Sequence, residues 1–232
     1  MERSQGCMNC PVRGQHLFCK MEDAAIEKFD HIGAPVQFTR GAIIFREGDT
    51  CGSVHVLCSG RVKLSATSRE GRTLILKIAR AGEVLGLSAA LAGQPYEVTA
   101  ETVEPCRLKT IRRQALLDFL DRNPDASMRA ARTVAQEYKA AFSEVRRLAL
   151  PATASGRVAG LLLDWSRDQS PANAPQGRCM MTLTHEEIAS MTATTRETVT
   201  RVLGQLKREN LIQIRGAALT VLQPQALERL AV

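Results

Sequence analysis

Between residues 34 and 110 the chain consists of short hydrophobic runs separated by turn residues, with almost no helical periodicity. Examples are the runs at residues 42–45, 53–57, 61–64 and 73–78, which are divided by glycine-containing turns. Turns of this kind recur about every ten residues, which is typical of a small β-sandwich or barrel. We therefore expect a β domain in the first half of the chain.

The hydrophobic pattern changes to a helical period near Arg113. Asn123 and Pro124 end one short helix and begin another, because proline is accepted in a first helical turn but not in a helix interior. In the second helix, small and apolar residues are spaced alternately by three and four positions, at Met128, Ala131, Ala135, Tyr138, Phe142, Val145 and Ala149. This heptad seam favours pairing with another helix, such as that of a second copy of the chain. The alternative is a helix that lies on the β domain.

A separate C-terminal unit is predicted from about Pro151, which ends the long helix. Residues 156–167 have a helical pattern, whereas residues 168–177 are polar and contain proline, which predicts an exposed loop. The unit is about 80 residues long, enough for a small helical domain but too short for most enzymes.

Two helices and a hairpin are predicted within this unit. Thr184 followed three residues later by Glu187 is a capping box, which begins the first helix. Small residues interrupt it before a second helical pattern at residues 196–206, and residues 211–222 have the pattern of a hairpin. This order is typical of a winged helix-turn-helix.

The second helix of this motif has an apolar and a polar face. The apolar positions follow the i, i+3, i+4, i+7 pattern, at Val199, Val202, Leu203 and Leu206. Side chains suited to base edges lie on the other face or directly before the helix, at Thr195, Arg196, Glu197, Thr200 and Arg201. Arginine can donate two hydrogen bonds to guanine, and glutamate can accept one from cytosine. The alternative to DNA contact is that this polar face is simply exposed to solvent, with a weak salt bridge between its Arg and Glu side chains.

Composition limits the classes of protein to be considered. The chain has 232 residues, of which 44% are hydrophobic and 24% charged, as in most globular proteins. Its apolar runs are only a few residues long, whereas a membrane-spanning helix needs about 20. Because the N-terminus lacks the apolar run of a secretory signal, we expect a cytoplasmic protein with reduced cysteines. The net charge of +7 permits a polyanionic partner without identifying it.

The seven cysteines are distributed unevenly. Cys7, Cys10 and Cys19 crowd the N-terminus, and grouped thiolates suit iron–sulfur clusters or zinc. A cysteine-dependent redox enzyme is the alternative, although this polar arm lacks the strand-to-helix setting of a redox C-x2-C motif. The other four occur singly, at Cys51, Cys58, Cys106 and Cys179. Among these, Cys51, Cys58 and Cys179 are interpreted as small buried hydrophobic residues.

Together these motifs resemble the CRP/FNR family of bacterial transcription regulators over nearly the whole chain. Residues 41–49, 59–64 and 82–86 look like the β-roll landmarks of that family. Asn123-Pro124 precedes what looks like the dimer helix, and residues 196–201 look like the recognition helix of the catabolite-activator branch.

The resemblance implies an α+β fold with a cyclic-nucleotide-binding-like β-roll, a long dimerisation helix and a C-terminal winged helix-turn-helix. The expected segments are a cysteine-bearing arm, the β-roll sensor domain, the dimerisation helix and the DNA-binding domain, at residues 1–22, 23–112, 113–150 and 151–232. It also implies a homodimer that binds palindromic promoter DNA and RNA polymerase and has no membrane segment.

The resemblance further distinguishes two kinds of sensor. Cyclic-nucleotide binders of the family place Arg-Ser or Arg-Thr opposite a Gly-Glu pair, whereas this chain has Tyr96 and Glu97 opposite Gly82 and Glu83. Because Glu97 would repel a cyclic phosphate, no cyclic AMP is expected, and Glu83 is interpreted as a turn residue.

Oxygen-sensing members, such as the fumarate and nitrate reduction regulator, hold a [4Fe-4S] cluster with three N-terminal cysteines and one from the β-roll. The matching residues are Cys7, Cys10, Cys19 and Cys106. The nine-residue step from Cys10 to Cys19 is longer than the usual gap of the family. The resemblance thus implies an oxygen or nitric oxide sensor whose cluster drives dimerisation. A zinc site, with His16 or His31 as substitute ligands, and a cluster-free regulator of another small ligand are the alternatives.

The DNA-binding motif departs from the oxygen-sensing branch. Arg196 is typical of the catabolite-activator branch, which prefers TGTGA-like half-sites, whereas the oxygen-sensing branch lacks it and prefers TTGAT-like ones. A second departure is Ala193, where many members have glycine in the turn. If that position needs a positive φ, alanine costs about 1 kcal/mol, unless the turn avoids this conformation.

Overall fold

The computed structural model describes residues 6–10, 13, 19–168, 178–180 and 183–231. The chain divides into two compact units, here called the N-terminal and C-terminal units. The division falls within the long helix, between residues 140 and 141, and residues 72–74 group with the C-terminal unit. Within the described ranges, no helix is both long and apolar enough to cross a membrane.

The N-terminal unit contains two four-stranded sheets, with strand orders β1-β8-β3-β6 and β2-β7-β4-β5. This arrangement confirms the predicted β domain. After a 3₁₀ turn at Cys7–Asn9, its elements are α1 (Asp23–His31), β1 (Gly33–Phe38), β2 (Ile43–Phe45), β3 (Ser53–Ser59), β4 (Arg61–Thr67), β5 (Thr73–Arg80), β6 (Val84–Leu85), α2 (Leu87–Ala92), β7 (Thr99–Thr102), β8 (Cys106–Arg112) and α3 (Arg113–Asp121).

Strand β3 is covered on both of its faces. Leu57 lies opposite Leu108 of β8, and both are fully buried in the core. Val56 lies opposite Lys109 on the other face, since successive side chains of a strand point to opposite sides. Residues of α1 pack on that second face and belong to the same buried cluster as Val56. The face of β3 that carries Val56 is therefore also buried, and Cys7 and Cys19 of the arm pack against the same cluster.

Helix α4 (Pro124–Ala149) has 26 residues and confirms the predicted long helix. Ala126 and Ala130 are buried in the core of the N-terminal unit. The predicted seam lies on another side of the helix, and its residues are exposed, at Met128, Ala131, Ala135, Tyr138, Phe142 and Val145. The seam is therefore not the face that packs on the β domain.

The C-terminal unit has the predicted winged helix-turn-helix arrangement. Its hairpin pairs Ile212 with Val221, and a third strand lies beside it. The loop predicted at residues 168–177 lies outside the described residues, except for Asp168 at the end of a helix. The elements are α5 (Ala154–Asp168), β9 (Arg178–Met180), α6 (His185–Met191), α7 (Arg196–Arg208), β10 (Ile212–Arg215), β11 (Ala218–Val221) and α8 (Pro224–Leu230).

Candidate DNA-binding surface and thiol pocket

The first helix of the DNA-binding motif, α6, begins with the predicted capping box. The Thr184 hydroxyl accepts a hydrogen bond from the Glu187 N–H at 3.2 Å, and the Glu187 carboxylate accepts one from the Thr184 N–H at 2.8 Å. These bonds satisfy N–H groups that have no partner within the helix. The start of α6 is thereby fixed by its own sequence.

The turn between α6 and α7 contains an alanine whose backbone adopts the left-handed helical conformation. Ala193 has φ of +48°, so the turn does not avoid the conformation that glycine adopts more easily. The buried Thr192 hydroxyl donates to the Ile188 carbonyl at 2.8 Å. Arg157 of α5 donates to the Thr192 carbonyl at 2.8 Å and to the Ala193 carbonyl at 3.4 Å. Contacts from outside the motif therefore hold the turn in place.

Helix α7, here called the recognition helix, has the two faces expected from its sequence. The Thr195 hydroxyl caps the helix by accepting from the Thr198 N–H at 3.3 Å. The apolar positions are at most 2% exposed, at Val199, Val202, Leu203 and Leu206. The polar positions are all exposed, at Thr195, Arg196, Glu197, Thr200 and Arg201. The hydrogen bonds of Glu197 with its own backbone and with Thr195 hold the pKa of its carboxyl below the ordinary value.

Two residues outside the predicted set support this surface. His185 Nδ1 lies 2.8 Å from the Thr200 hydroxyl, which also donates to the Arg196 carbonyl at 3.0 Å. Arg147, near the end of α4, is buried, forms an ion pair with Glu144 and donates to the Met191 carbonyl at 3.1 Å. The i, i+3 spacing of Glu144 and Arg147 could have indicated the ion pair, but nothing local indicates the contact with α6.

The position that corresponds to a cyclic-nucleotide site carries acidic side chains. Glu83 pairs with Lys77, and the Glu97 carboxylate accepts a hydrogen bond from the Ser88 hydroxyl at 2.8 Å. Burial raises the pKa of Glu137 on α4 to about 7, with Lys77 acting against this shift and the charges of Glu83 and Glu97 adding to it. The negative charges of Glu83 and Glu97 therefore make ionisation of the Glu137 carboxyl less favourable.

Three of the four predicted ligand cysteines line a single pocket, and a different cysteine joins them. Arg13 and Lys109 are its charged lining residues, and the remaining lining is largely apolar. Cys58 is half-buried and belongs to this pocket, so its interpretation as a simple core residue was incomplete. We call the site the thiol pocket and define it by its sulfur-bearing residues, Cys7, Cys10, Cys19 and Cys58.

Burial in the thiol pocket favours the protonated thiols of Cys7 and Cys19. Burial raises the pKa of Cys7 to about 12 and that of Cys19 to about 11. The Cys7 thiol donates a hydrogen bond to the Asp30 carboxylate, which also pairs with Lys109 at 2.9 Å. Among the residues that the structure describes, no three His, Cys, Asp or Glu side chains are already disposed as metal ligands. Metal binding at the pocket would therefore require proton loss and local rearrangement.

Cys106, the fourth predicted ligand, lies outside the thiol pocket. It is 4% exposed, and its thiol donates to the carbonyls of Arg61 and Glu104, each at 3.2 Å. Lys109, three positions further along β8, does line the pocket. Because positions an odd number apart on a strand point to opposite faces, the sheet separates Cys106 from the three arm cysteines.

In the part of the chain that the structure describes, the other cysteine and histidine side chains do not line the thiol pocket. Cys51 is buried, and its thiol lies 3.6 Å from the Ser53 carbonyl, as in a small core residue. His31 Nδ1 lies 2.7 Å from the Glu27 carbonyl of its own helix. His16 and the side chain of Cys179 lie outside the described residues.

Comparisons with known domain families match both units. Residues 35–123 match the cyclic nucleotide-binding domain, and residues 156–230 match the Crp-like helix-turn-helix domain. A β-roll followed by a long helix and a winged helix-turn-helix defines a DNA-binding transcriptional regulator.

The relatives cover most of the chain. The global nitrogen regulator of Synechocystis sp. is 31% identical over 197 residues, which are 83% of this chain and 86% of that protein. The CRP-like cAMP-activated global transcriptional regulator of Mycobacterium tuberculosis is 26% identical over 215 residues, 93% of this chain and 96% of that protein. The structure of FixK2 from Bradyrhizobium japonicum has a TM-score of 0.75 at 22% identity, covering 87% of this chain and 98% of that one. The chain belongs to the CRP/FNR family of transcriptional regulators.

Proposed function

We propose that the protein is a homodimeric regulator that binds palindromic promoter DNA, acts with RNA polymerase and responds to oxygen or nitric oxide through a [4Fe-4S] cluster on its N-terminal arm. The observation that carries the sensory part is the thiol pocket, where three cysteines of a short arm meet a fourth thiol of the β-roll. Several soft sulfur donors in one place suit an iron–sulfur cluster or zinc.

Sequence-specific DNA binding is supported by the recognition helix. Arg196 and Glu197 are exposed in its first turn, and Arg201 is exposed one turn later. The N-terminal residues of such a helix contact base edges when the helix lies in the major groove. A guanidinium at this position can bind guanine O6 and N7 together, which discriminates against other bases by about 1–3 kcal/mol.

Dimerisation is supported by the exposed seam of α4. The exposed fractions are 54% for Met128, 65% for Tyr138, 55% for Phe142 and 62% for Val145. Large apolar side chains in one stripe are favourable when a second helix covers them. A twofold-symmetric pair of recognition helices then requires a DNA site with matching twofold symmetry, which is a palindrome.

The dimer is tested by placing a charge in the seam. Tyr138→Glu should weaken dimerisation by at least about tenfold, because the carboxylate loses hydration when the helices pair. Ala140→Glu places the same charge on an exposed position outside the seam and is the control. Sedimentation of both variants in the metal-loaded state measures the effect. Equal dissociation constants for wild type and Tyr138→Glu would contradict the seam assignment.

A continuous packed path supports coupling between the thiol pocket and α4. Phe29 of α1 lines the pocket, and its ring centroid is 5.5 Å from that of Phe119 on α3. Both rings belong to the same buried cluster as Ala126 and Ala130 of α4. When bound, an iron–sulfur cluster supplies a group that oxygen and nitric oxide can modify. Attachment of the arm to the β-roll would restrain α1 in its place on the sheet and so favour the α4 packing that supports pairing.

The sensory proposal is tested on protein purified without oxygen. We expect iron and sulfide in the protein, broad visible absorbance, and loss of both dimer and DNA affinity after exposure to air. Zinc measured in the same samples tests the alternative metal. A colourless, iron-free protein whose DNA binding does not depend on oxygen would contradict the proposal.

A cluster-free regulator of another small ligand is the second candidate. The match of residues 35–123 to the cyclic nucleotide-binding domain favours it, and one relative is named as cAMP-activated. A cyclic phosphate is nevertheless disfavoured, because Glu83 and Glu97 give its position negative charge, which also helps to raise the pKa of Glu137. We expect no heat of binding when cyclic AMP is titrated into the protein, and measurable binding would favour this second candidate.

A further inference from the structure

We propose that Cys58, and not Cys106, is the fourth sulfur ligand of a metal site that it forms with Cys7, Cys10 and Cys19. This inference rests on the proposal that the arm binds a thiophilic metal centre, and it changes which residue of the β-roll completes the site. The first observation is that all four of these cysteines line the same pocket.

The pairing of β3 with β8 explains how Cys58 reaches the pocket. Leu57 lies opposite Leu108, and Ser59 lies opposite Arg107, so Cys58 is the extra residue at a bulge. Bulges of this kind redirect a side chain and interrupt regular pairing. Cys58 lines the pocket together with Val56 and the arm cysteines, so the bulge leaves the Cys58 side chain on the side of β3 on which the arm lies.

The same alternation directs Cys106 away from the arm. Cys106 and Leu108 share one face of β8, whereas Lys109 lies on the pocket face. The space beside Cys106 is also closed, because a Cβ atom added to Gly60 would lie 2.6 Å from the Cys106 sulfur. For Cys106 to join the arm cysteines, β8 would have to turn over or leave the sheet.

The charges around the pocket suit a thiolate-rich site. Four thiolates around a divalent metal or an iron–sulfur core carry a net negative charge, which is costly in an apolar pocket unless cations lie nearby. Lys109 and Arg13 both line the pocket. Each of these cations lies where it can offset the negative charge of a thiolate-rich site.

Metal content in matched variants is the main test. Full-length wild type, Cys10→Ala, Cys58→Ala and Cys106→Ala are supplied with iron and sulfide without oxygen, and bound iron, sulfide and zinc are measured per chain. We expect Cys58→Ala to lose about tenfold in bound metal, as Cys10→Ala does, while Cys106→Ala matches wild type. Full metal content in Cys58→Ala overturns the proposal. Loss of metal from a Cys106→Ala variant that keeps the circular dichroism spectrum of the wild type also overturns it.

A cobalt titration separates this inference from the oxygen-sensing proposal. Cobalt(II) bound by thiolates has sulfur-to-metal absorption bands that report how many sulfurs coordinate the ion. Metal-free wild type can give a four-sulfur cobalt spectrum that Cys58→Ala weakens and yet take up no iron and sulfide. In that case the four-cysteine site stands and the oxygen-sensing proposal fails. If wild type takes up neither cobalt nor iron, this inference is overturned.

Alkylation of wild-type protein provides a test that needs no substitution at the site. The metal-loaded and metal-free forms are treated with iodoacetamide, and the modified cysteines are identified by mass spectrometry. We expect metal to protect Cys58 together with the arm cysteines, by about tenfold in rate, and to leave Cys106 unchanged. Equal modification of Cys58 in the two forms would overturn the proposal.

Discussion

The DNA-binding surface and the thiol pocket differ in how far their geometry is fixed without a ligand. In the recognition helix, Thr195 caps the first turn and a fully apolar face is buried, so the exposed face has one orientation. In the thiol pocket, sulfurs from the arm and from β3 are close together, but burial raises the pKa of Cys7 and of Cys19 and so favours their protonated forms, and the Cys7 thiol donates a hydrogen bond to Asp30. The first site is preformed, whereas the metal site proposed for the second is not yet assembled.

The difference agrees with the division of roles that we propose, in which one site binds DNA and the other responds to a signal. A preformed surface binds its partner without a large ordering cost, which favours selectivity among DNA sequences. A site that is completed only by its ligand makes the surrounding structure depend on that ligand, which favours a response. Four substitutions, from the largest expected effect to the smallest, test the preformed DNA-binding unit and the ionisation of Glu137 in the N-terminal unit.

Arg147→Ala tests whether the DNA-binding unit is preformed by its internal contacts. The substitution leaves Glu144 without its ion-pair partner and the Met191 carbonyl without a donor, so we expect a loss of about 3 kcal/mol in the free energy of unfolding. Fluorescence of Trp165, the single tryptophan of the chain, reports unfolding of this unit in denaturant. Arg146→Ala removes an exposed arginine and should change stability by less than about 0.5 kcal/mol. Similar values for both variants would contradict the supporting role of Arg147.

Arg196→Val tests whether the preformed surface contacts bases. Loss of a bidentate contact should relax selectivity at one base pair of each half-site by about 1–3 kcal/mol, while affinity from phosphate contacts persists. Selection from random duplexes compares wild type with the variant. Arg208→Val, in the last turn of the recognition helix, is the control for a lost positive charge. Identical selected motifs for wild type and Arg196→Val would indicate that Arg196 contacts only the DNA backbone.

Features with a local cause could be predicted from the sequence. The capping box at Thr184, the two faces of the recognition helix and the start of α4 at Pro124 each depend on neighbouring residues. The three arm cysteines could also be selected from their spacing. The place of Cys58 could not, because it depends on a bulge and on the register of β3 against β8. The family resemblance suggested Cys106 by position, but it did not indicate which face of the sheet its thiol occupies.

Glu137→Gln tests whether the stability of the N-terminal unit depends on the protonation of Glu137. The folded pKa of Glu137 is raised to about 7 from an ordinary value of 4.5, so the unfolded chain ionises first as pH rises. Wild type should therefore lose about 1–2 kcal/mol relative to Glu137→Gln between pH 4.5 and 7 and show no further difference above that range. Denaturation curves at several pH values measure this difference. Glu27→Gln, an exposed position on α1, controls for the lost charge, and a pH-independent difference for Glu137→Gln would contradict the prediction.

Ala193→Gly tests whether the preformed DNA-binding unit retains strain in its turn. An alanine at φ of +48° is less favourable than glycine by about 1 kcal/mol or more, but glycine also makes the unfolded chain more flexible. The net expectation is a gain of about 0.5–1 kcal/mol in the free energy of unfolding, followed by Trp165 fluorescence. Asn210, with φ of +53°, is the matched position, and Asn210→Gly should gain less because asparagine tolerates this conformation. A loss of stability in Ala193→Gly would show that the lost flexibility of glycine outweighs the strain at this φ, and would contradict the prediction.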